Sequence, residues 1–366
     1  MNSLYIHVPF CERKCPYCAF ESASPSDGDE GIFLRSLERE LLLRREELSS
    51  RRGIDTLYIG GGTPSVLSLP SWERLFLILG RYFVFDGCRE ITAEVNPNSA
   101  ARELLELWRE IGVTRVSVGV QSFDDDELIF LGRLHDAKGA SKALELCSEM
   151  GFRVSADLMF GLPGGDMRTW AGSLRRAVSL GAPHVSVYQL TVHEGTPFAG
   201  ASLNLPDGYG QYRYAQWLLP KLGLVQYEVA SFAAPGMESG HNINYWETGE
   251  YIGLGPAAWS YIDGTRFKNE PGLHKYAADL YDGRLPAEYS ERLDEGASAR
   301  EAAVLALRTA RGIDIKAFTE KHGEFADEIY EKLKSFPPSL LRLDKERASL
   351  TPKGFRVANR IWEEIV

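Results

Sequence analysis

The sequence predicts an α/β fold: an open barrel of six parallel strands, followed by a smaller module of helices and one hairpin. The first observation is a recurring unit in which an amphipathic helix is followed by a glycine and then by an apolar strand. The glycines are Gly112, Gly151, Gly181 and Gly223, at intervals of 30 to 42 residues. Glycine just past a helix end adopts the left-handed cap conformation. Intervals of this length are typical of successive βα units, which build parallel sheets.

The second observation is that the predicted strands have one apolar and one polar face. In the fourth strand, Val116 and Val118 alternate with Ser117 and Gly119. A parallel strand buried on both faces is almost continuously apolar. A barrel whose polar lumen holds a ligand therefore explains the alternation better than the alternative, a doubly wound open sheet. The strands are predicted at residues 3–8, 55–60, 90–95, 114–120, 153–159 and 184–190.

The size and charge of the chain exclude several classes of protein. A length of 366 residues with 44% apolar residues suits an α/β barrel plus an extra module. The net charge of −10 argues against nucleic-acid binding, which needs clustered basic surface. The five cysteines are odd in number and clustered, which favours a reducing compartment. Since we find neither an apolar run of ~18–20 residues nor a signal peptide, we expect a cytoplasmic protein without a transmembrane segment.

The strongest chemical signal is a group of three cysteines near the N-terminus. Cys11, Cys15 and Cys18 follow a short apolar strand in a C-x3-C-x2-C pattern. Thiolates favour iron–sulfur clusters, zinc or copper(I), and a four-iron cluster normally has four cysteine ligands. Phe20 stands where a fourth would be expected, which leaves one iron open to another ligand. A zinc site completed by His7 and a purely structural thiol cluster are the alternatives.

The cysteine spacing resembles that of the radical S-adenosylmethionine (SAM) superfamily. The resemblance implies that the triad holds a [4Fe–4S] cluster whose open iron binds SAM, within a partial (β/α)6 radical-SAM barrel. The Gly-Gly-Gly-Thr-Pro turn after the second strand and Glu94 at the end of the third agree with it. Glycines let a ligand approach the backbone, where we expect free N–H and C=O groups. Barrel enzymes place their active groups at this carboxyl end of the strands.

Three motifs later in the chain point to one subgroup of this superfamily. Gly-Val-Gln-Ser-Phe, Leu-Gly-Arg-Leu-His and Asp-Leu-Met-Phe-Gly-Leu-Pro-Gly occur in this order. The order resembles that of the oxygen-independent coproporphyrinogen III oxidases and their HemW-type relatives. In that subgroup the matching residues line SAM or a second small-molecule site. They are Tyr5, Tyr17, Gly61, Gly62, Thr63, Glu94, Gln121, Arg133 and Asp157.

The stretch after the barrel distinguishes these two kinds of relative. The string H-N-I-N-Y-W at residues 241–246 resembles the haem-binding H-N-x-x-Y-W motif of HemW-type proteins. The resemblance implies that haem binds through His241, with Asn242, Tyr245 and Trp246 beside it. Imidazole is a common ligand of haem iron, and aromatic side chains pack well on a flat ring system.

The resulting interpretation is a haem chaperone. It would bind haem and a SAM-ligated [4Fe–4S] cluster and deliver haem to an apoprotein, for example one of the respiratory chain. The alternative is an oxygen-independent coproporphyrinogen III oxidase, in which SAM cleavage starts an oxidative decarboxylation. Phe20, in place of a fourth, non-ligand cysteine of those oxidases, favours the chaperone. An RNA-modifying radical enzyme conflicts with the acidic charge. The sequence leaves open the electron donor, a homodimer and whether radical chemistry occurs.

We divide the chain into a radical-SAM barrel at residues 1–225, a connecting region with the H-N-x-x-Y-W motif at 226–290, and a HemN-like domain at 291–366. The last is a small C-terminal α+β module, predicted to be winged-helix-like. Its predicted elements are a helix at 299–311, strands at 340–343 and 348–350, and a final helix that starts at Thr351-Pro352. Its 14 basic and 14 acidic residues lack the positive surface that DNA binding needs.

Overall fold

A mixed sheet of twelve strands lies at the centre of the computed structural model, which describes residues 2–366. Six of the strands lie side by side in chain order and run parallel. They are β1 (Ser3–Val8), β2 (Thr56–Gly61), β3 (Glu90–Val95), β4 (Arg115–Gln121), β5 (Arg153–Phe160) and β6 (His184–Gln189). The predicted α/β fold with six parallel strands is therefore confirmed, and each strand end lies within one residue of its prediction.

Six further strands extend the sheet at its two edges and lie outside the predicted strands. They are β7 (Val225–Gln226), β8 (Ser231–Ala233), β9 (Tyr251–Leu254), β10 (Trp259–Ile262), β11 (Thr265–Asn269) and β12 (Ala287–Arg292). β9 joins β1 in parallel, while β8 runs antiparallel to β6. None of the six exceeds six residues, and two of them, β8 and β9, join the parallel strands β6 and β1 from later in the chain. Local alternation therefore gives little signal for them.

Helices cover the apolar face of the parallel strands. They are α1 (Asp29–Leu43), α2 (Arg45–Leu48), α3 (Leu69–Tyr82), α4 (Arg102–Glu110), α5 (Asp125–Phe130), α6 (Ala137–Glu149), α7 (Met167–Ser179) and α8 (Tyr209–Leu218). Trp72 of α3 and Trp108 of α4 are fully buried and meet edge to face, with ring centroids 5.0 Å apart. Asp124, Asp136 and Asp166 cap the N-termini of α5, α6 and α7 with their side chains.

The opposite face of the parallel strands forms a polar lumen, as the alternation predicts. Thr56, Arg115, Ser155 and His184 are all buried there. Ser155 Oγ forms a hydrogen bond of 2.8 Å with His184 Nδ1, and the Tyr227 hydroxyl forms one of 2.9 Å with His184 Nε2. Buried polar groups are costly unless they are hydrogen-bonded, so these mutual contacts stabilise the lumen.

The remaining helices belong to the last third of the chain. α9 (Gly240–Trp246) and α10 (Leu273–Tyr281) lie among the added strands. The C-terminal module follows, and its three-stranded antiparallel sheet has the order β13-β15-β14. The module consists of α11 (Glu295–Leu307), β13 (Ile313–Asp314), α12 (Ile315–His322), α13 (Glu324–Lys334), β14 (Leu341–Leu343), β15 (Arg347–Leu350), α14 (Pro352–Phe355) and α15 (Ala358–Ile365).

The module has its own apolar core. It differs from the prediction at both ends of α11, which stops at Leu307 rather than at residue 311, in an added strand and in its final helix. α11 begins four residues earlier than expected because the Asp294 side chain accepts a hydrogen bond from the Ala297 N–H. β13 was not predicted, and the final helix is interrupted between Phe355 and Ala358. The domain boundaries at residues 225 and 290 stay predictions. Within residues 2–366, no helix combines the length and the apolar character needed to cross a membrane.

A buried carboxylate joins α1 to the added part of the sheet. Glu40 is completely inaccessible to solvent. It accepts hydrogen bonds from Arg44 Nε at 3.1 Å, the Tyr276 hydroxyl at 2.7 Å, the Gly255 N–H at 3.0 Å and Asn269 Nδ2 at 2.8 Å. Because these groups come from the C-cap of α1, from α10, from the residue after β9 and from the end of β11, the carboxylate fixes the edge of the sheet that carries β9 to β12.

Replacement of Glu40 by alanine should lower the free energy of unfolding by about 3–5 kcal/mol. The buried Arg44 guanidinium would keep only Glu47, its second carboxylate partner, and the donors from Tyr276 and Asn269 would be left unsatisfied. Glu38→Ala is the matched control, since Glu38 pairs with Arg81 at the surface and should cost at most about 1 kcal/mol. Equilibrium denaturation in urea measures both values. Equal losses for the two variants would contradict the role assigned to Glu40.

Candidate functional site

The cysteine loop follows β1 at the carboxyl end of the parallel strands. Cys11 Sγ lies 3.3 Å from Thr63 Oγ1, in the turn after β2. Arg133 Nη1 donates a hydrogen bond to Cys15 Sγ at 3.5 Å, and the Cys18 N–H donates one to the Cys15 carbonyl at 3.1 Å. All three thiols are free and half-buried. The three cysteines thus share one partly exposed loop, which a guanidinium borders.

The arrangement does not suit the zinc site that the sequence left open. His7 is buried, and its ring nitrogens form hydrogen bonds with the Tyr5 hydroxyl at 3.1 Å and the Glu21 carbonyl at 2.9 Å. Within residues 2–366, no three histidine, cysteine or acidic side chains converge closely enough to hold a single metal ion. The described residues therefore give no support to a single zinc ion completed by His7.

The glycine turn after β2 packs directly against the cysteine loop. Gly61 has a φ of +113°, a conformation that favours glycine. A side chain at Gly62 would place its Cβ 2.2 Å from the Phe10 carbonyl oxygen. The Gly62 and Thr63 N–H groups donate to the carbonyls of Val8 and Phe10, at 2.9 and 2.6 Å. We expected free N–H groups at this turn, and that expectation is wrong for these two because they bind the loop.

Glu94 lies at the end of β3, on the lumen side. Its carboxylate accepts a hydrogen bond of 2.7 Å from the Tyr58 hydroxyl. Burial raises the pKa of Glu94 to about 7, and the nearby Asp157 carboxylate adds to the increase. Asp157 accepts a hydrogen bond of 3.0 Å from Ser117 Oγ, and burial raises its pKa as well. Tyr5 lies beside them, with its ring centroid 6.2 Å from that of Tyr58.

Arg133 connects the cysteine loop to the ends of β3 and β4. Its Nη2 donates hydrogen bonds to Asn96 Oδ1 at 2.5 Å and to the Gly119 carbonyl at 2.8 Å. Asn96 Nδ2 in turn donates to Thr63 Oγ1 at 2.9 Å. Gln121 lies at a register shift in β4 and has a φ of +66°, a strained conformation that is frequent at functional sites.

Most of the residues predicted to bind SAM therefore line one end of the lumen. Tyr17 neighbours Arg133 and packs on its other side against Phe198, with ring centroids 6.4 Å apart. Two residues outside the predicted set, Asn96 and Tyr58, hold Arg133 and Glu94 in place. The sequence contains a signal for both residues: Tyr58 lies on the polar face of β2, and Asn96 directly follows β3.

The H-N-x-x-Y-W motif forms α9, at the opposite end of the strands. The Gly240 and His241 N–H groups each donate a hydrogen bond of 3.1 Å to the carboxylate of Glu90, the first residue of β3. The helix therefore starts at the amino ends of the strands. The six residues of β1 span about 17 Å at ~3.3 Å per residue, which separates the motif from the cysteine loop.

His241 is completely buried within this end of the lumen. Its Nδ1 forms a hydrogen bond of 2.9 Å with Thr56 Oγ1, and its Nε2 one of 2.8 Å with the Tyr245 hydroxyl. The ring centroid lies 5.3 Å from that of Tyr58. Burial lowers the pKa of His241 to about 3, so the imidazole is neutral at physiological pH. Because both ring nitrogens are occupied, binding of iron through His241 requires one of these bonds to open.

The C-terminal end of the motif, Tyr245 and Trp246, faces a cavity of about 350 Å³. Tyr245 and Trp246 form one wall of this cavity, and Tyr251 and Arg266 belong to another. Asn242 is half-buried, and its N–H donates to the capping Ser239 side chain at 3.4 Å. The four predicted haem-binding residues thus share one short helix, but only Tyr245 and Trp246 line the cavity.

Comparisons with known proteins identify the family to which the chain belongs. The model of the radical SAM superfamily matches residues 5–177, and that of the HemN C-terminal domain matches residues 293–357. A Bacillus subtilis protein described as heme chaperone HemW is 34% identical over 99% of this chain and 98% of its own. A Mycobacterium tuberculosis protein with the same description is 32% identical over 98% of this chain and 93% of its own.

The coproporphyrinogen III oxidase HemN from Escherichia coli, described as a radical SAM enzyme, has a similar solved structure. The TM-score is 0.87, and the alignment covers 100% of this chain and 89% of the oxidase. At 24% sequence identity this likeness shows the fold alone. The relatives matched along nearly their whole length decide the family: this chain belongs to the radical SAM superfamily and, within it, to the HemW family.

Proposed function

We propose that the protein is a haem chaperone that binds haem beside α9, carries a SAM-ligated [4Fe–4S] cluster, and delivers haem to a haem-requiring apoprotein. The observation that carries the proposal is the position of the H-N-x-x-Y-W helix. Its two aromatic residues, Tyr245 and Trp246, line a cavity remote from the cysteine loop. The similarity to proteins described as heme chaperones, along nearly the whole chain, supports the same function.

The cysteine loop has the features that a SAM-ligated cluster requires. Cys11, Cys15 and Cys18 supply three thiolates, and no fourth cysteine lies near them in the sequence. When bound, the cluster would supply electrons for the cleavage of SAM. Arg133, which donates to Cys15 Sγ, would lower the negative charge on the thiolates. The turn of Gly61, Gly62 and Thr63 would hold the loop in place, as its hydrogen bonds to the loop indicate.

The SAM-binding role of the lumen residues depends on their charge and position. The Glu94 carboxylate faces the lumen and suits the hydroxyls of a ribose. Asp157, Tyr5 and Gln121 lie at the equivalent ends of neighbouring strands or face the same space. Tyr17 immediately precedes the last cysteine and would shield the cluster.

The rival function is that of an oxygen-independent coproporphyrinogen III oxidase. The structural likeness to such an enzyme does not favour it, since that likeness shows the fold alone. Phe20 is 68% exposed beside the cysteine loop, at the position where the resembling oxidases have a fourth, non-ligand cysteine. A thiol is absent there, and this difference favours the chaperone.

A single preparation can test both functions. Haem-loaded protein mixed with the apo form of a haem-requiring respiratory enzyme should restore the activity of that enzyme faster than the same concentration of free haem. The reconstituted protein with SAM, a reductant and coproporphyrinogen III should yield no protoporphyrinogen. The formation of protoporphyrinogen, without transfer of haem, would overturn the chaperone proposal.

SAM binding should weaken as the pH falls below 7. The pKa of Glu94 is about 7 in the free protein, and the protonated carboxyl accepts fewer hydrogen bonds from a ribose than the carboxylate does. Linkage then predicts up to about tenfold weaker binding for each pH unit below 7. Anaerobic calorimetric titration of the reconstituted protein with SAM, between pH 5.5 and 8.5, measures the effect.

Glu94→Gln should bind SAM weakly at every pH in this range and lose the pH dependence. Glu127→Gln is the matched control, because burial raises the pKa of Glu127 as well and its carboxylate is bound to Ser122 rather than exposed to the lumen. A Glu94→Gln variant with the pH profile of the unaltered protein would show that another group controls binding.

A further inference from the structure

Three side chains on neighbouring strands form a row at the amino edge of the sheet. Tyr261 of β10 pairs with Tyr251 of β9 on one side and with Arg266 of β11 on the other. Residues in register on adjacent strands project from the same face, and Ser3 extends the row towards the lumen. The row therefore presents two phenol rings and a guanidinium side by side on the lumen face.

The opposite wall comes from α9 and from α11 of the C-terminal module. Tyr245 packs edge to face against Tyr251, with ring centroids 4.5 Å apart. Arg308 lies over one face of the Trp246 ring, 4.3 Å from its centroid. The Trp246 Nε1–H is buried and has no hydrogen-bond partner within residues 2–366. Together these walls enclose the cavity of about 350 Å³, which lies within the usual size range of small-molecule sites.

The only formal charges that line this cavity, within the described residues, form one pair. Arg266 Nη2 lies 2.5 Å from Glu301 Oε1, and both side chains are about 30% exposed, at 28% and 30%. The pair links the sheet to α11. A ligand with a carboxylate would compete with Glu301 for the same guanidinium, since Arg binds carboxylates in two parallel hydrogen bonds.

We propose that this cleft, formed by Tyr245, Trp246, Tyr251, Tyr261 and Arg266, holds the haem. The macrocycle would pack against the aromatic rings, and Arg266 would exchange Glu301 for a haem propionate. The proposal rests on the proposed function, and it adds a propionate partner and an opposing carboxylate that the H-N-x-x-Y-W motif does not contain. A flat aromatic ligand with acidic groups fits both the aromatic walls and Arg266, the one cation among the described residues that line the cavity.

The effect of mutations on haem affinity distinguishes a functional Arg266–Glu301 pair from a merely structural one. Glu301 holds Arg266 in the free protein and repels a propionate. Its neutralisation should therefore strengthen haem binding, whereas the loss of Arg266 should weaken it. If the pair only held α11 against the sheet, both changes would weaken binding to a similar degree.

The test is a titration of the full chain with haem, followed by the Soret absorbance. Arg266→Gln should weaken binding by about tenfold or more, and Glu301→Gln should tighten it measurably. Arg284→Gln is the charge-matched control, because Arg284 is exposed and pairs with Asp279 and Asp282 outside the cleft. Haem dimethyl ester, which has no free propionate, should bind the Arg266→Gln variant and the unaltered protein equally.

The outcomes distinguish the cleft from the function on which it rests. Failure of the unaltered protein to bind haem would overturn the proposed function itself. Binding of haem by the unaltered protein and by Arg266→Gln with the same affinity would overturn only the cleft. A parallel weakening in Arg266→Gln and Glu301→Gln would also overturn it. Thermal unfolding of each variant checks that the fold is retained.

Discussion

The parallel alignment of six strands is the constraint on which the rest of the molecule depends. It collects the carboxyl ends of the strands at one edge, where the cysteine loop, the glycine turn and Glu94 lie together. It collects the amino ends at the other edge, where the Glu90 carboxylate binds the first turn of α9. The two regions are separated by the length of one strand, about 17 Å. The sheet thus keeps the cysteine loop and α9 apart.

A polar column inside the lumen joins the two edges. Glu94 accepts a hydrogen bond from Tyr58, the Tyr58 ring lies against His241, and His241 is bound to Thr56 and Tyr245. Each member is buried or half-buried, so the loss of any one would leave a polar partner unsatisfied at a cost of about 1–3 kcal/mol. The column therefore explains why the lumen is polar although helices cover its outer face. It also explains the neutral state of His241, whose pKa is lowered by burial.

The sequence predicts well those elements that are determined by residues close together in the chain. The six parallel strands follow from the alternation of side chains, and the cysteine loop and the glycine turn from short motifs. β9 could not be predicted from local sequence, because it pairs with β1 at a distance of about two thirds of the chain. The other added strands are short, so that side-chain alternation gives little signal for them. The burial of His241 could not be predicted either, because its hydrogen-bond partner Thr56 is 185 residues away in the chain. The N–H groups of Gly62 and Thr63 are occupied by a loop that the motif itself does not reveal.

The central claim is that haem and the cluster occupy opposite ends of the barrel. A crystal structure of the haem-loaded, reconstituted protein, with iron located by anomalous scattering, tests it most directly. We expect the cluster irons at the cysteine loop and the haem iron in the cleft beside Tyr251 and Tyr261. A haem iron in the lumen next to Glu94 would contradict the separation of the two sites.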